Sequence, residues 1–406
     1  MKRNIDLDVL IVGGGIAGLW TAQALRARGH VVAVVERDAL GGGQTLAAQG
    51  IVHAGMKYAL RGRRTAAADA VSSMPARWRA ALAGRGDVDL RAAVCLSEHC
   101  WLWADATLAS YFAQLFAPHL LQDRAEPVAR HHWPAFLAEY VSKGFVLRLD
   151  EPVVDMPSVI SALATSLESQ IIRETDVCGR LMRTRAGVQL DLGPTLLRAG
   201  TLVLCAGAGN AALLSALGME GPPMQLRPLH QVCVELPLAH DVFGHCLSGQ
   251  RSTEPPITIT THGIAPSAVP LADGPPKRRI YLGGALASRG LERARAEQID
   301  AARDLLVRAL LDVDIDAARF STLRIDRAEA QMPARRRPDD AFLARDGAVL
   351  TAWPTKMALA PALADRIVSA VGQAAGNGPA REAALRDALE DRDRPAIAAP
   401  YWTRAA

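Results

Sequence analysis

The ten residues VLIVGGGIAG at positions 9–18 decide the fold of this chain. Four apolar residues, typical of a buried strand, run directly into three consecutive glycines and a further glycine at Gly18. Residues 19–28 follow with helical periodicity, and residues 31–35 form a second apolar run that closes on Glu36. The sequence therefore predicts a strand, a glycine turn, a helix and a second strand that ends in an acid.

The glycines and the acid are placed where a dinucleotide needs them. Gly13 permits a tight turn, Gly15 lets the backbone approach a pyrophosphate, and Gly18 lets the helix pack closely on the strand. The start of the helix offers unpaired N–H groups and a partial positive charge to the phosphates. Glu36 is placed to accept hydrogen bonds from a ribose diol. This combination predicts dinucleotide binding.

Length and composition limit the class of protein. The chain has 406 residues, half of them hydrophobic, which is enough for a large core and more than one domain. No apolar run approaches the ~20 residues that span a bilayer, so we expect a cytoplasmic protein without a transmembrane segment, with peripheral membrane contact left open. The net charge of +4 is mild, and no basic stripe interleaved with aromatic residues indicates nucleic-acid binding.

We expect no metal site from the spacing of potential ligands. The six cysteines form no C-x-x-C pair, which indicates reduced, mostly packed thiols. His131 and His132 are adjacent but have no acid or cysteine at ligand spacing, so we expect them to lie at the surface.

A second glycine-rich segment, LGGGQTLAAQGIVHAGMKY, lies at residues 40–58. So many glycines and small polar residues beside a phosphate turn indicate backbone that runs along an extended ligand. Its last six residues, from His53, resemble the His-(Gly/Ala)-Gly-Leu-x-Tyr segment of FAD-dependent glycerol-3-phosphate and L-2-hydroxyglutarate dehydrogenases. The stretch resembles the second FAD-contacting segment of the D-amino acid oxidase superfamily, with glycine oxidase and sarcosine oxidase as more distant members.

Two later segments also resemble that superfamily. Residues 201–210 have the pattern of a buried strand that ends on small residues, similar to the superfamily's Ala-(Thr/Ala)-Gly strand, with Ala206 and Gly207 on the cofactor side. Residues 350–361 occupy the place of a Gly-His-Gly-like turn whose amides face the flavin pyrimidine ring. This chain departs from that pattern because Thr-Lys-Met at residues 355–357 replaces the small residues.

The resemblance implies an α/β fold (α+β overall), in which a Rossmann-like FAD-binding domain is interleaved with a substrate domain on a large mixed or antiparallel sheet. We expect the FAD-binding domain to comprise residues 1–84, 146–221 and 323–372. We expect the substrate domain to comprise residues 85–145 and 222–322, followed by a C-terminal helix and tail at 373–406.

Local patterns add detail to this division. Residues 230–236, 257–261 and 279–285 alternate between apolar and polar side chains, as antiparallel strands do. Residues 176–177 are expected in a strand, and residues 65–82 in a helix kinked at Pro75. Residues 108–121 are expected to be helical as well.

We expect FAD as the cofactor rather than NAD. The fingerprint lies at the N-terminus, and long insertions separate the nucleotide-binding strands. Because the chain has only one G-x-G-x-x-G and no C-x-x-C, no second site for NAD(P)H is expected, and the substrate itself should reduce the flavin. The residues expected to contact FAD are Gly13, Gly15, Ile16, Ala17, Gly18, Glu36, Arg37, Gln44, Thr45, Gln49, Gly50, Val177, Ala206, Gly207, Thr355, Lys356 and Met357.

The resemblance implies hydride transfer to flavin N5 from the CH–OH or CH–NH carbon of a small anionic metabolite. A 2-hydroxy acid, a polyol phosphate and an amino acid all fit this description, and oxygen or a quinone would accept the electrons. Two alternatives remain open. One is an amine or amino-acid oxidase of the glycine or sarcosine oxidase type, and the other is a non-catalytic flavin-binding protein.

Four positions are candidates for contact with the substrate. Arg337 precedes Pro338 as the matching arginine does in the Arg-Pro motif of glycine oxidase, D-amino acid oxidase and glycerol-3-phosphate dehydrogenase, and its guanidinium suits a carboxylate or phosphate. His53 lies where alcohol-oxidising relatives have a histidine, and we expect it to accept the O–H proton of an alcohol. Tyr281, and secondarily His230, are expected on the sheet, where they would order the substrate.

Lys356 is a candidate for stabilising the reduced flavin. The chain has 41 arginines and five lysines, yet two of the lysines, Lys57 and Lys356, fall inside the segments assigned to the flavin. An ammonium group near flavin N1 and the C2 carbonyl would stabilise the negative charge of the reduced state and raise the reduction potential. The start of the following helix, with Pro361 expected in its first turn, would add to this effect.

Overall fold

The computed structural model describes residues 2–55, 66–106, 108, 125–141, 143–247, 254–263 and 275–404, and every structural statement refers to these residues. Their strands are β1 (Arg3–Val12), β2 (Val32–Glu36), β3 (Cys95–Ser97), β4 (Cys100–Asp105), β5 (Ala125–Pro127), β6 (Gly144–Leu149), β7 (Val153–Val154), β8 (Ile171–Arg173), β9 (Leu181–Thr184), β10 (Gly187–Asp191), β11 (Thr195–Leu204), β12 (Met224–Pro237), β13 (Phe243–Cys246), β14 (Ile257–His262), β15 (Lys277–Gly283), β16 (Arg319–Ala330), β17 (Phe342–Asp346) and β18 (Val349–Trp353).

Helices connect these strands and cover the sheets. The α-helices are α1 (Ile16–Arg26), α2 (Ala66–Ser72), α3 (Met74–Leu82), α4 (Ala135–Tyr140), α5 (Met156–Thr165), α6 (Val177–Arg180), α7 (Asn210–Ala216), α8 (Ala285–Arg289), α9 (Arg295–Ala309), α10 (Ala360–Val371), α11 (Gly378–Leu389) and α12 (Tyr401–Arg404). Short 3₁₀ helices lie at Arg130–His132, Glu168–Gln170, Gly207–Gly209, Pro333–Arg335 and Met357–Leu359. Within the described residues, none of these helices combines the length and apolarity needed to cross a membrane.

The first sheet has the order β17-β18-β11-β1-β2-β8, and the β9–β10 hairpin pairs with β11. Strands β8, β2, β1, β11 and β18 run parallel, whereas β17 is antiparallel to β18. The apolar runs of β1 and β11 are buried because helices cover both faces: α1, α5 and α10 lie on one, and α7 and α11 on the other. The carboxyl ends of β1, β2, β11 and β18 therefore meet at one edge, where open α/β sheets bind nucleotides.

The second sheet has the order β16-β12-β15-β14-β13-β4-β6-β5. All its pairings are antiparallel except the one between β13 and β4. One face packs on α4 and α9 around apolar residues of β12, β14 and β15. The expected domain boundaries at residues 146 and 323 fall inside β6 and β16, both of which belong to this sheet.

Several expected elements differ from those observed. The strand expected at residues 176–177 is instead helix α6, because the Asp176 carboxylate accepts a hydrogen bond from the Gly179 N–H (3.0 Å) and caps a helical turn. The helix expected at 65–82 is two helices, α2 and α3, separated at Ser73, with Pro75 in the first turn of α3. The helix expected at 108–121 lies outside the described residues except for residue 108.

Candidate active site

A cavity of about 1070 Å³ lies between the two sheets. Its lining includes the carboxyl ends of β1, β2, β11 and β18 from the first sheet and residues of β12, β14, β15 and β16 from the second. The volume is at the upper end of the roughly 300–1,000 Å³ of ordinary ligand pockets, so the cavity has room for a large cofactor. Every residue that we expected to contact FAD lines it, apart from Gly18.

The glycine turn is shaped as a phosphate cradle. Gly13 has φ of +116°, and a side-chain carbon added there would lie 2.5 Å from the Cys205 carbonyl oxygen. Gly18 packs α1 against this turn, since an added carbon would lie 2.0 Å from the Gly13 oxygen. The N–H of Ile16 donates to Thr45 Oγ1 (3.2 Å), so the loop after β2 closes on the start of α1. This backbone geometry fits a dinucleotide pyrophosphate.

Glu36 ends β2 at the rim of the same cradle. Its carboxylate accepts hydrogen bonds from the N–H groups of Gly14 (2.7 Å) and Asp38 (3.0 Å), which fix its position. Arg37 lines the cavity beside it and forms an ion pair with Asp38. An acidic acceptor here matches the position at which a cofactor ribose would be bound.

The segment after β2 joins the two sheets. Gln44 Nε2 donates to the Ala328 carbonyl of β16 (3.4 Å), and Gln49 Nε2 donates to the Tyr281 carbonyl of β15 (2.8 Å). Gly50 has φ of +76°, and a side-chain carbon there would lie 2.0 Å from the Val154 oxygen. The segment therefore lies between the nucleotide edge and the second sheet, and its backbone approaches Val154 too closely for a side chain at Gly50.

The turn after β18 completes the opposite wall. Thr355 has φ of +58°, a left-handed conformation that costs a β-branched residue energy, and its Oγ1 donates to the Pro354 carbonyl (2.7 Å). Lys356 and Met357 line the cavity next to it. Pro361 lies in the first turn of α10, as the sequence predicts. On the β11 side, the Ala206 N–H donates a hydrogen bond to Asn210 Oδ1 (2.8 Å).

His53 is the partly exposed member of a cluster whose other members, Glu151 and His245, are buried. Its Nδ1 lies 3.0 Å from Glu151 Oε2, and the Ala54 N–H donates to Glu151 Oε1 (2.8 Å). The ring of His245 stacks on that of His53, with centroids 5.8 Å apart, and His245 Nε2 lies 3.9 Å from Glu151 Oε2. His245 Nδ1 in turn hydrogen-bonds with Thr258 Oγ1 (2.8 Å).

The charge of Glu151 follows from this cluster. Burial alone would raise the pKa of Glu151, but its interactions with His53 and His245 outweigh burial, so the pKa lies well below its usual range. An ionised carboxylate only accepts hydrogen bonds, so His53 must donate from Nδ1, which leaves Nε2 as the basic nitrogen. One atom each from His53, Glu151 and His245 lie within 4.8 Å of one another, so the set could also hold a metal ion, which the sequence spacing did not indicate.

Arg337 lines the cavity and is held from two sides. Its Nη2 donates to the Thr355 carbonyl (2.5 Å), and its Nε lies 3.2 Å from Glu329 Oε2. Glu329 is 3% exposed and also pairs with Arg227, whose Nη1 lies 3.4 Å from Oε1. Arg337 is a quarter exposed, and its Nη1 edge is not used by these contacts.

Tyr281 and His230 lie on the second sheet, as expected, but the structure does not support their expected contact with the substrate. Neither is among the described residues that line the cavity. Tyr281 is fully buried, its hydroxyl donates to Gln231 Oε1, and Trp402 from the C-terminal segment packs against its ring at 5.7 Å. His230 is 1% exposed, and its Nδ1 hydrogen-bonds with the Gly290 carbonyl (2.9 Å). Both side chains stabilise the second sheet instead of contacting the site.

Comparison with known proteins agrees with this geometry. The family model "FAD dependent oxidoreductase" (DAO) matches residues 8–370. The chain belongs to the D-amino acid oxidase type of FAD-dependent oxidoreductases. It is 41% identical over 404 residues, 99% of each chain, to the probable FAD-dependent oxidoreductase PA4991 of Pseudomonas aeruginosa. The crystal structure of PA4991 superposes with a TM-score of 0.79, 36% identity, and coverage of 100% of this chain and 99% of that one.

Two solved structures of lower sequence identity share the fold. L-α-glycerophosphate oxidase from Mycoplasma pneumoniae, with FAD bound, has a TM-score of 0.63 at 12% identity and covers 92% of this chain and 97% of its own. Glycine oxidase from Geobacillus kaustophilus has a TM-score of 0.62 at 16% identity and covers 92% of this chain and 96% of its own. This member of the family is thus a flavoenzyme with FAD as its cofactor, and it requires a reducing substrate and an electron acceptor.

The sequence did not point to four residues that line the cavity or contact its lining residues. Glu151 and His245 lie 98 and 192 positions after His53. Glu329 on β16 contacts Arg337 and also pairs with Arg227 on β12. The signal for Glu151 was an acid two residues after the end of β6, next to a short run of buried residues. For the others no local pattern exists, because separate strands bring them together.

Proposed function

We propose that this enzyme oxidises the CH–OH or CH–NH carbon of a small anionic metabolite, and we favour an alcohol such as a 2-hydroxy acid or polyol phosphate. The observation that supports the alcohol is the His53–Glu151 pair inside the cavity. When FAD is bound, it supplies the oxidising centre that accepts a hydride equivalent from the substrate carbon.

His53 would act as the base in this proposal. An alcohol must lose its O–H proton as the carbon is oxidised, whereas a neutral amine needs no such base. The Glu151 carboxylate fixes the His53 ring through Nδ1 and stabilises the positive charge that forms when Nε2 takes the proton. Glu151 is thereby a positioning residue.

Arg337 would bind the anionic group of the substrate. Its Glu329 and Thr355 contacts orient the guanidinium, and the remaining Nη1 edge suits the paired hydrogen bonds of a carboxylate or phosphate. Tight positioning of the substrate supports the reaction because the reacting carbon must lie in contact with the oxidising centre.

We also assign FAD to the cradle described above. The pyrophosphate would lie against Gly13, Gly15 and the start of α1, and Glu36 would bind the ribose. Gln44 to Gly50 and the turn at Thr355–Met357 would flank the flavin, with Lys356 near its pyrimidine ring. Either oxygen or a quinone would reoxidise it.

The test is anaerobic mixing of the purified enzyme with amino acids, 2-hydroxy acids and polyol phosphates while flavin absorbance is recorded. We expect one anionic class to bleach the flavin. EDTA should leave the rate unchanged, because in this proposal His53 acts as a base and not as a metal ligand. The variant His53→Ala should slow bleaching by an alcohol. Bleaching by amino acids alone, at a rate insensitive to His53→Ala, would favour the amine oxidase, and no bleaching would favour a non-catalytic flavoprotein.

A further inference from the structure

Two arginines of the cavity wall share a single carboxylate. Arg337, after β16, and Arg227, on β12, both line the cavity, and both contact the buried Glu329. Their bridging distances are 3.2 Å from Arg337 Nε to Oε2 and 3.4 Å from Arg227 Nη1 to Oε1. Since one carboxylate spans both guanidinium groups, the two cations lie close together, and this set carries one excess positive charge.

Glu329 fixes both cations without consuming their hydrogen-bonding capacity. It is 3% exposed, and Gln225 Nε2 also donates to its Oε1 (3.2 Å), so the carboxylate is held in place. Each arginine has five N–H donors, of which these contacts occupy a minority. The two side chains are moderately exposed, at 42% for Arg227 and 25% for Arg337, and thus remain accessible from the cavity.

The strand register adds positive charge at the same place. Arg227 on β12 is directly opposite Arg327 on β16, and Arg327 also lines the cavity. Like charges directly opposite each other destabilise an antiparallel pair. A sheet built for stability alone gains nothing from this pairing, whereas a sheet that binds a doubly charged anion gains an electrostatic contact when the ligand arrives.

We propose that Arg227 and Arg337, with Arg327 opposite Arg227, form a binding position for a double negative charge, so that the substrate carries either two carboxylates or a phosphate at this end. This inference rests on the proposed binding of an anionic substrate by Arg337 and narrows its class. Arg337 binds the first negative charge of the substrate, and Arg227 binds the second. Uncharged and singly charged analogues are then weaker ligands of the same cavity.

The experiment titrates the FAD-loaded enzyme with non-reducing anions at constant ionic strength and follows the flavin absorption spectrum. The probes are acetate as a monoanion, malonate and succinate as dicarboxylates, and inorganic phosphate. Because a hydrogen bond to a charged group contributes about 1.5–3 kcal/mol, we expect one of the dianions to bind roughly 10- to 100-fold more tightly than acetate. Preference for phosphate or for a dicarboxylate distinguishes the two sources of the double charge.

Arg227→Gln should abolish the dianion preference and leave acetate affinity within a few-fold of the parent value. The matched control is Arg279→Gln, which removes an arginine from the same sheet that pairs with Glu235 and is not among the described lining residues. Equal affinity for acetate and all dianions in the parent enzyme would overturn the inference. This measurement needs only the parent enzyme, so it tests the inference even if Arg227→Gln fails to bind FAD. Equal weakening of acetate and dianions in a folded Arg227→Gln would also overturn it.

The anion titration and the test of the proposed reaction can fail independently of each other. If dianions bind preferentially but no anionic metabolite bleaches the flavin, the proposed reaction fails while the anion position stands. If anionic metabolites bleach the flavin but singly and doubly charged ones bind alike, the reaction stands and the role of Arg227 fails.

Discussion

The change Glu151→Gln should disable His53 as a base while preserving the shape of the cluster. In the parent, Glu151 Oε1 accepts from the Ala54 N–H (2.8 Å), and Oε2 accepts from His53 Nδ1 (3.0 Å). The glutamine oxygen can keep the Ala54 bond only if its amide nitrogen faces His53. That NH₂ group donates, so Nδ1 must become an acceptor and the imidazole proton moves to Nε2. The nitrogen that should take the substrate proton is then already protonated.

The expected loss is the contribution of a positioned base. General acid–base catalysis supplies roughly 100- to 10,000-fold in rate, and a neutral amide also removes the charge that stabilises protonated His53. We therefore expect the first-order rate of anaerobic flavin reduction by an alcohol substrate to fall by roughly that factor. FAD affinity should change little, because Glu151 contacts His53, Ala54 and His245 and not the phosphate cradle.

The assay is anaerobic stopped-flow flavin reduction at saturating substrate, with Asp8→Asn as the control. Asp8 also accepts one backbone N–H, from Val31 (2.7 Å), and pairs with one cation, Arg381 (2.8 Å), but it is not among the described residues of the cavity. The control should reduce its flavin at the parent rate. A rate for Glu151→Gln within three-fold of the parent, or an equal loss in both variants, would refute the tautomer argument.

Three further predictions follow from the same geometry. Gly18→Ala should weaken FAD binding roughly 10- to 100-fold in an equilibrium titration, because the added side-chain carbon would lie 2.0 Å from the Gly13 oxygen. The control Gly376→Ala, where an added carbon meets nothing within 4 Å, should leave FAD affinity unchanged. Lys356→Met should lower the flavin reduction potential by tens of millivolts in dye-equilibration measurements; an unchanged potential would exclude a charge effect. Folding lowers the pKa of Glu151 below its ordinary value of 4.5, so the ionised carboxylate contributes its full stabilisation above pH 4.5 and loses it as the pH falls below 4.5. Thermal melts at acid pH should therefore show a smaller loss of stability for Glu151→Gln than for the parent.

The nucleotide side of the molecule could be predicted from sequence because its requirements are local. The turn needs glycines at Gly13, Gly15 and Gly18 within six residues, and the steric contacts of Gly13 and Gly18 agree with the reasons given for them. The strand-turn-helix order around this turn is correct, as is the helix after Pro361. Such features depend on neighbours in the chain and not on how distant strands pair.

The substrate side could be predicted only in part, because its contacts cross the fold. Motifs pointed to His53 and Arg337, and both line the cavity. Their partners, Glu151 and Glu329, could not be predicted because they depend on which strands end beside the cavity. Tyr281 was misplaced for a related reason. Its strand face is covered by Trp402 from the C-terminal segment, in which the sequence showed no chemical role. The alternation of apolar and polar side chains identifies the two faces of a strand. It does not show which of these faces is covered by a distant segment of the chain.

The most direct test compares a substrate that bleaches the flavin anaerobically with its own uncharged analogue, for example a 2-hydroxy acid and the corresponding amide. The two molecules present the same C–H and O–H bonds and differ only in the group that Arg337 would bind. We expect the acid to reduce the flavin rapidly and the amide to require a far higher concentration, with the difference greatly diminished in Arg337→Gln. Equal reduction by both molecules, or a preference that persists in that variant, would contradict oxidation of an anionic substrate at this site.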